Sequence, residues 1–213
     1  IYNDICLKYN IPILFTRAAQ DLTSHKKKLI LGQAGIKGTA YCKKIMTQCD
    51  LVINFGSRLA PQFIGHNFEA FNKAKIISVD IEKDELNKKG AKIGIKVNAD
   101  LKIFIPKFLK ELKKTQQLNF KNWGDYCDKL KLEKIKYTSY KKNPIDLYYF
   151  MSQLGDYSTK KHVLITDAGS NYYIGGQVWQ FEKGQKEITS ITNAAMGLSI
   201  PLAIGAAVAD KNK

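Results

Sequence analysis

The sequence predicts an α/β protein with a doubly wound, parallel-sheet, nucleotide-binding-like central domain over residues 1–114, followed by the beginning of a second α/β domain. Three observations carry this reading. Short apolar, β-prone runs alternate with helical patterns, the signature of βαβ units around a parallel sheet. The runs are bounded by Gly, Asn and Asp, as buried strands ending in loops are. The alternation stops at a lysine-rich connection, 115–143, and resumes over 144–213.

In chain order, IPILF (11–15), LVINF (51–55), IISVDI (76–81) and IGIKV (93–97) read as strands. Between them, 38–49 and 66–74 read as helices. The stretch 100–114 is apolar at Leu101, Phe104, Ile105, Phe108, Leu109 and Leu112, the three-and-four spacing of one helix face, and it closes the first domain. The polar connection is expected to be helical around 123–135 and to end at Asn143-Pro144. Beyond it come a helix over 145–154, a strand at VLITD (163–167), a helix after Gly169 and a β-prone stretch near 187–191. The final run, MGLSIPLAIGAAVAD (196–210), is 15 residues long. That is shorter than the roughly 20 residues a membrane-spanning helix needs, so a tightly packed buried helix is expected, with Pro201 in its first turn.

A net charge of +15 invites a nucleic-acid reading, because clustered cations release phosphate counterions. Yet only Arg17 and Arg58 are arginine among 34 basic residues, whereas base readout favours the guanidinium fork. Residues 102–142 hold 12 lysines against 4 acids and read as a solvated face. Neither a nucleic-acid nor a membrane partner is expected, and the cytoplasm is the expected location. Cys6, Cys42, Cys49 and Cys127 form no CxxC pair and lie far from the histidines in sequence, so they read as reduced packing residues and no metal ligand is assigned.

Three segments could carry chemistry. In LGQAGIKGTA (31–40), Gly32, Gly35 and Gly38 precede a helix starting near Thr39; a phosphate would suit such a start, although by itself the segment reads as a connecting loop. Gly56, Ser57 and Arg58 follow one strand, and Asp80 and Glu82 end another, where α/β folds hold a ribose. The plainer readings are a surface ion pair for Arg58 and a helix cap for Asp80. In ITDAGSNYY (165–173), Ala168, Gly169, Ser170 and Asn171 lead from strand to helix and suit a diphosphate, or simply a cap. Last, Ala194 and Met196 precede the small-residue helix; alone, Met196 would be core filler.

In this order and spacing, the segments resemble the central and C-terminal domains of acetolactate synthase and its relatives among the thiamine-diphosphate enzymes, over essentially the whole chain. Residues 31–40 match a Leu-Gly-x-x-Gly-x-x-Gly-Thr-Ala segment, Gly56-Ser57-Arg58 a Gly-Ala-Arg, and 79–82 an Ile-Asp-Ile-Asp. Flavin-containing members hold FAD through these stretches. Lys37 stands for the family's histidine and Gln62 for its second arginine, so weak or absent FAD is expected. Asp167-Ala168-Gly169-Ser170-Asn171 matches Asp-Val-Gly-Gln-His, which holds the cofactor's diphosphate. Ala194-Ala195-Met196-Gly197 matches Gly-Thr-Met-Gly, whose first carbonyl contacts the aminopyrimidine and whose methionine props the cofactor into its bent shape.

The resemblance implies thiamine diphosphate with Mg²⁺, decarboxylation of a 2-oxo acid, addition of the carbanion to a second carbonyl, and a homodimer or homotetramer. It also implies a fragment, with the activating glutamate and the Mg²⁺ ligands outside residues 1–213. Residues 58–71 are similar to a divergent branch found with surface-carbohydrate genes. The middle domain also resembles NAD-binding folds such as those of sirtuins, which leaves open a nucleotide-binding regulatory module without catalysis.

Overall fold

The computed structural model describes residues 2–35, 37–65, 69–90, 92–115, 118–133 and 144–210, except the side chains of 2–5 and 69. Its elements run α1 (Tyr2–Tyr9), β1 (Ile13–Phe15), a 3₁₀ turn (Arg17–Leu22), β2 (Ile30–Gln33), α2 (Ala40–Gln48), β3 (Leu51–Phe55), α3 (Pro61–Ile64), a 3₁₀ turn (Glu69–Phe71), β4 (Lys75–Asp80), α4 (Lys83–Asn87) and β5 (Ile95–Asn98). Then follow α5 (Leu101–Lys114), α6 (Lys121–Leu132), α7 (Leu147–Tyr157), β6 (Val163–Thr166), α8 (Ser170–Val178), β7 (Lys186–Thr189) and α9 (Ser199–Ala209).

Among the described residues every strand pairing is parallel, as the α/β pattern requires, and the connections between paired strands are long enough to cross over. The strands form three sheets: β1–β2, β3–β4–β5 in chain order, and β6–β7. β2 is the element that the sequence hides. Residues 31–40 look like one glycine-rich loop, but Ile30–Gln33 is a strand buried along its whole length, and the loop begins only after it. The helix expected at 66–74 is a single 3₁₀ turn preceded by α3, with 66–68 outside the described residues.

Local chemistry sets the helix starts. Thr39 caps α2 by accepting the Cys42 N–H at 3.3 Å. Asp100 does the same for α5, accepting from Lys102 at 2.7 Å, and Asp146 for α7, accepting from Tyr149 at 2.8 Å; each satisfies an otherwise orphaned N–H. α2 then buries Cys42, Ile45 and Met46. Cys42 and Ile45 share one cluster with Leu31 of β2 and with Cys127 and Leu130 of α6. The helical part of the expected linker therefore belongs to the first core, while 134–143, with Asn143, lie outside the described residues. A separate cluster forms between α7, α8 and β6 around Met151, Leu164, Ile174 and Trp179.

One expectation is overturned. The run 196–210 forms a helix, α9, with Pro201 in its first turn, but it is not buried: it packs against β6, and Ile200, Ile204 and Val208 are 69, 63 and 74% exposed. Apolar composition reveals a helix's preference for a partner and not whether the chain supplies one; among the described residues none covers this face. No described helix is long and apolar enough to cross a membrane.

Candidate functional site

β6 ends at Thr166, and Asp167 follows as the hub of a junction between two distant segments. Its Oδ1 accepts the Ala168 N–H at 2.6 Å and the Asn171 Nδ2–H at 3.0 Å. Its Oδ2 accepts the Gly197 N–H at 2.7 Å and the Ser199 hydroxyl at 3.2 Å. The Asn171 amide, followed by the Ala168 N–H, holds this carboxyl well below the usual carboxylate range. The sequence matched Asp167 only to the first position of the family's diphosphate-holding motif and gave it no role of its own. In the structure it joins the Ala168–Asn171 stretch to the Ala194–Gly197 stretch, the two places the resemblance assigns to one cofactor.

The junction leaves an open cradle. Gly169 has φ +74° and Gly197 φ +84°, and a Cβ on either would meet nothing within 4 Å. Gly169 and Ser170 are exposed, and no side chain caps α8, whose N-terminal amides and positive dipole end suit an anion. Asn171 is turned inward, its amide on Asp167 and its Oδ1 accepting the Tyr172 N–H at 2.6 Å. Ala194 adopts φ +45°, and Met196 is 89% exposed, so it is not core filler here. These residues fit a diphosphate held by backbone N–H groups and the Ser170 hydroxyl.

The other predicted positions lie at the carboxyl ends of β2, β3 and β4. Gly38 is structural: a Cβ there would lie 2.5 Å from the Gln33 carbonyl oxygen. Gly35, at φ +101°, packs on Phe63 and gives its N–H to Met46 Sδ at 3.3 Å. Gly32, at φ +93°, sits within β2, and Thr39 is occupied as the α2 cap. Gly56 donates to the Val79 carbonyl at 2.9 Å, and the Ser57 carbonyl accepts from Asn54 Nδ2 at 2.7 Å, the same nitrogen reaching Ser78 Oγ at 2.8 Å. Arg58 is exposed and pairs with Glu85 at 2.6 Å. Asp80 accepts the N–H of exposed Glu82 at 2.9 Å, forming a turn; Glu82, not Asp80, is the residue preceding α4. Gly56–Arg58 and Asp80–Glu82 thus share one sheet edge, while Gly32–Thr39 follows the other sheet.

Sequence reasoning missed a buried polar cluster beside α8. Arg17 pairs with Glu187 through both terminal guanidinium nitrogens, and lies over the Tyr172 ring at 4.8 Å from its centroid. Burial lowers the Arg17 pKa and pushes the Glu187 carboxyl up to about 7, against the pull of the guanidinium. The available signal was rarity: Arg17 is one of two arginines among 34 basic residues. The cysteines are free, and burial raises Cys42 and Cys127 to about 12 and Cys6 and Cys49 to about 11, which keeps them as protonated, poorly nucleophilic thiols. Among the described residues no group of three His, Cys, Asp or Glu side chains could hold a metal ion.

Residues 3–112 match the central domain of thiamine pyrophosphate enzymes. The chain is also similar to the acetolactate synthase large subunit of Lactococcus lactis subsp. lactis (strain IL1403), 28% identical over 214 residues, covering 100% of this chain and 36% of that protein. The probable acetolactate synthase large subunit of Methanococcus aeolicus is 25% identical, covering 94% of this chain and 36% of that protein. For the acetolactate synthase large subunit of Cyanidium caldarium the figures are 29%, 95% and 35%. The chain therefore spans about a third of the length of these relatives.

Proposed function

The chain belongs to the thiamine pyrophosphate enzymes, and on that premise we propose that it carries the central domain and the diphosphate-binding loop of an acetolactate-synthase-type enzyme. The reaction is decarboxylation of a 2-oxo acid, with pyruvate the first substrate to try, and transfer of the remaining acyl unit to a second carbonyl compound. Bound thiamine diphosphate supplies the electron sink for this chemistry. The chain's own residues bind and orient. The backbone amides of Gly169, Ser170 and Asn171, with the Ser170 hydroxyl, would hold the diphosphate, while Ala168 and the Asn171 side chain are tied to Asp167 and fix the loop. Ala194 would offer its carbonyl to the cofactor, and the exposed Met196 side chain would pack against it.

The observation that carries this reading is the Asp167 junction, which brings both segments to one cradle. Mg²⁺ is the expected companion of the diphosphate, and no residue of this chain is assigned to it. FAD forms no part of the proposal, since Gly38 and Thr39 serve the turn and the α2 cap. A homodimer or homotetramer in the cytoplasm completes it. The similarity to acetolactate synthases along the whole chain favours this over a nucleotide-binding module without catalysis.

The test is to titrate the intact natural protein with thiamine diphosphate and Mg²⁺, then supply pyruvate and follow CO₂ release. Saturable binding and cofactor-dependent decarboxylation are expected. Binding of NAD or FAD in its place, with no thiamine diphosphate taken up, would remove the proposal.

A further inference from the structure

Four residues of α8 touch the segment 17–37. Tyr172 carries the Arg17 guanidinium on its ring, and Tyr173 carries the Lys37 ammonium at 4.8 Å. A Cβ on Gly176 would lie 1.9 Å from Gln33 Oε1 and 3.1 Å from Arg17 Cδ, so the helix backbone rests directly on those side chains. Gln177 Nε2 donates to the Lys37 carbonyl at 2.9 Å. Gln20, with its amide oxygen facing Arg17, accepts from Nη1 at 2.9 Å and donates to the Gly176 carbonyl at 3.1 Å.

Arg17 is the centre of this arrangement. Its side chain is 5% exposed, and Glu187, on the strand paired with β6, is its charge partner at 4%. One guanidinium therefore fixes both α8 and β7, the elements flanking the strand that ends at Asp167. A lone cation buried there would be costly; paired with a carboxylate and laid on an aromatic face, it sets distance and rotation together.

We propose that Arg17 is a positioning residue for the diphosphate loop: by clamping Tyr172 and Glu187 it sets the start of α8, so that the 169–171 amides point at one diphosphate. The proposal rests on the cofactor reading above. It assigns the central domain a direct part in cofactor affinity, exerted through a residue that touches no cofactor atom.

The test compares Arg17→Met, Arg17→Lys and the double variant Arg17→Met/Glu187→Leu in the intact natural protein. Each is titrated with thiamine diphosphate plus Mg²⁺, and thermal unfolding is followed in parallel. The double variant removes both charges and refills the space with apolar atoms, so its stability should match the parent, since replacing a buried pair this way is often neutral. Its Kd for thiamine diphosphate should still rise about tenfold, as loss of an outer-layer orienting group commonly does. Decarboxylation at saturating cofactor should stay within about twofold, a Kd effect without a kcat effect. Arg17→Lys should regain part of the affinity. If the double variant is as stable as the parent and binds with unchanged Kd, or if affinity tracks folded fraction across all three, Arg17 is merely structural and the proposal falls. If the parent protein takes up no thiamine diphosphate, the functional reading itself fails, which the same titration shows separately.

Discussion

Asp167 and Gly197, thirty residues apart, are joined by a 2.7 Å hydrogen bond from backbone N–H to carboxylate. The bond makes the cradle a single unit, since the same carboxylate also holds Ala168 and Asn171. Asp167→Ala should free the 194–199 segment, with faster amide exchange at Gly197 and weaker thiamine diphosphate binding, while the helices remain. The pH dependence follows from the direction of the shift: a depressed carboxyl stabilises above its ordinary value of about 4 and loses that contribution as pH falls. Gly197 protection should hold from pH 8 to about 5. Fading of that protection as pH rises would contradict the assignment.

Ala194 sits at φ +45°, a left-handed conformation that costs a residue with a Cβ about 1 kcal/mol. Ala194→Gly should therefore be neutral to stabilising by up to about 1 kcal/mol in urea unfolding, the gain offset in part by glycine's larger unfolded-state entropy. A loss above about 1 kcal/mol would show that the alanine methyl makes a contact that matters.

Two glycines offer a paired comparison. Gly176→Ala drives a methyl to 1.9 Å from Gln33 Oε1 in a buried site, and should cost about 1–3 kcal/mol by overpacking. At Gly155 the nearest atom to an added Cβ is Trp179 Cδ2 at 3.5 Å, ordinary contact. Gly155→Ala should then gain some of the roughly 0.5–1 kcal/mol helix preference of alanine. Equal effects at the two sites would contradict this reading of α8 packing.

Much of this was legible in the sequence, and the gaps have physical causes. β3 matches the run LVINF residue for residue, and α5 begins one residue after its capping Asp100, because strand burial and helix caps leave local signals. β2 was hidden since Gly32 and Gly35 read as loop when adjacent strands are unknown. Arg17 stood out by type, but its partner lies 170 positions away, and no local pattern specifies a pairing at that range. The order 167–171 then 194–197 was readable, whereas the carboxylate that joins them became visible only with the backbone folded.

The Glu187 carboxyl predicts an opposite pH trend from Asp167. Burial raises it to about 7 in the folded state, from an ordinary 4.5. The folded protein thus binds a proton that the unfolded chain has released, so this contribution is full below about 4.5 and declines as pH rises through about 7. Unfolding free energy measured from pH 5 to 8 should fall for the parent. The slope should flatten in Glu187→Gln, whose neutral side chain takes up no proton in either state. An equal slope in both proteins would exclude Glu187 as its source.

The uncovered helix α9 gives the chain a colloidal character. Its outward Ile200, Ile204 and Val208 make an oily strip of about 12 Å at 1.5 Å per residue, on a particle whose net charge is +15. In dilute buffer like-charge repulsion keeps such particles apart; added salt shortens its reach to about 3 Å at 1 M. Residues 1–213 handled alone should therefore stay clear at low ionic strength and turn cloudy as salt is raised. Replacing the three side chains with glutamine should abolish the turbidity.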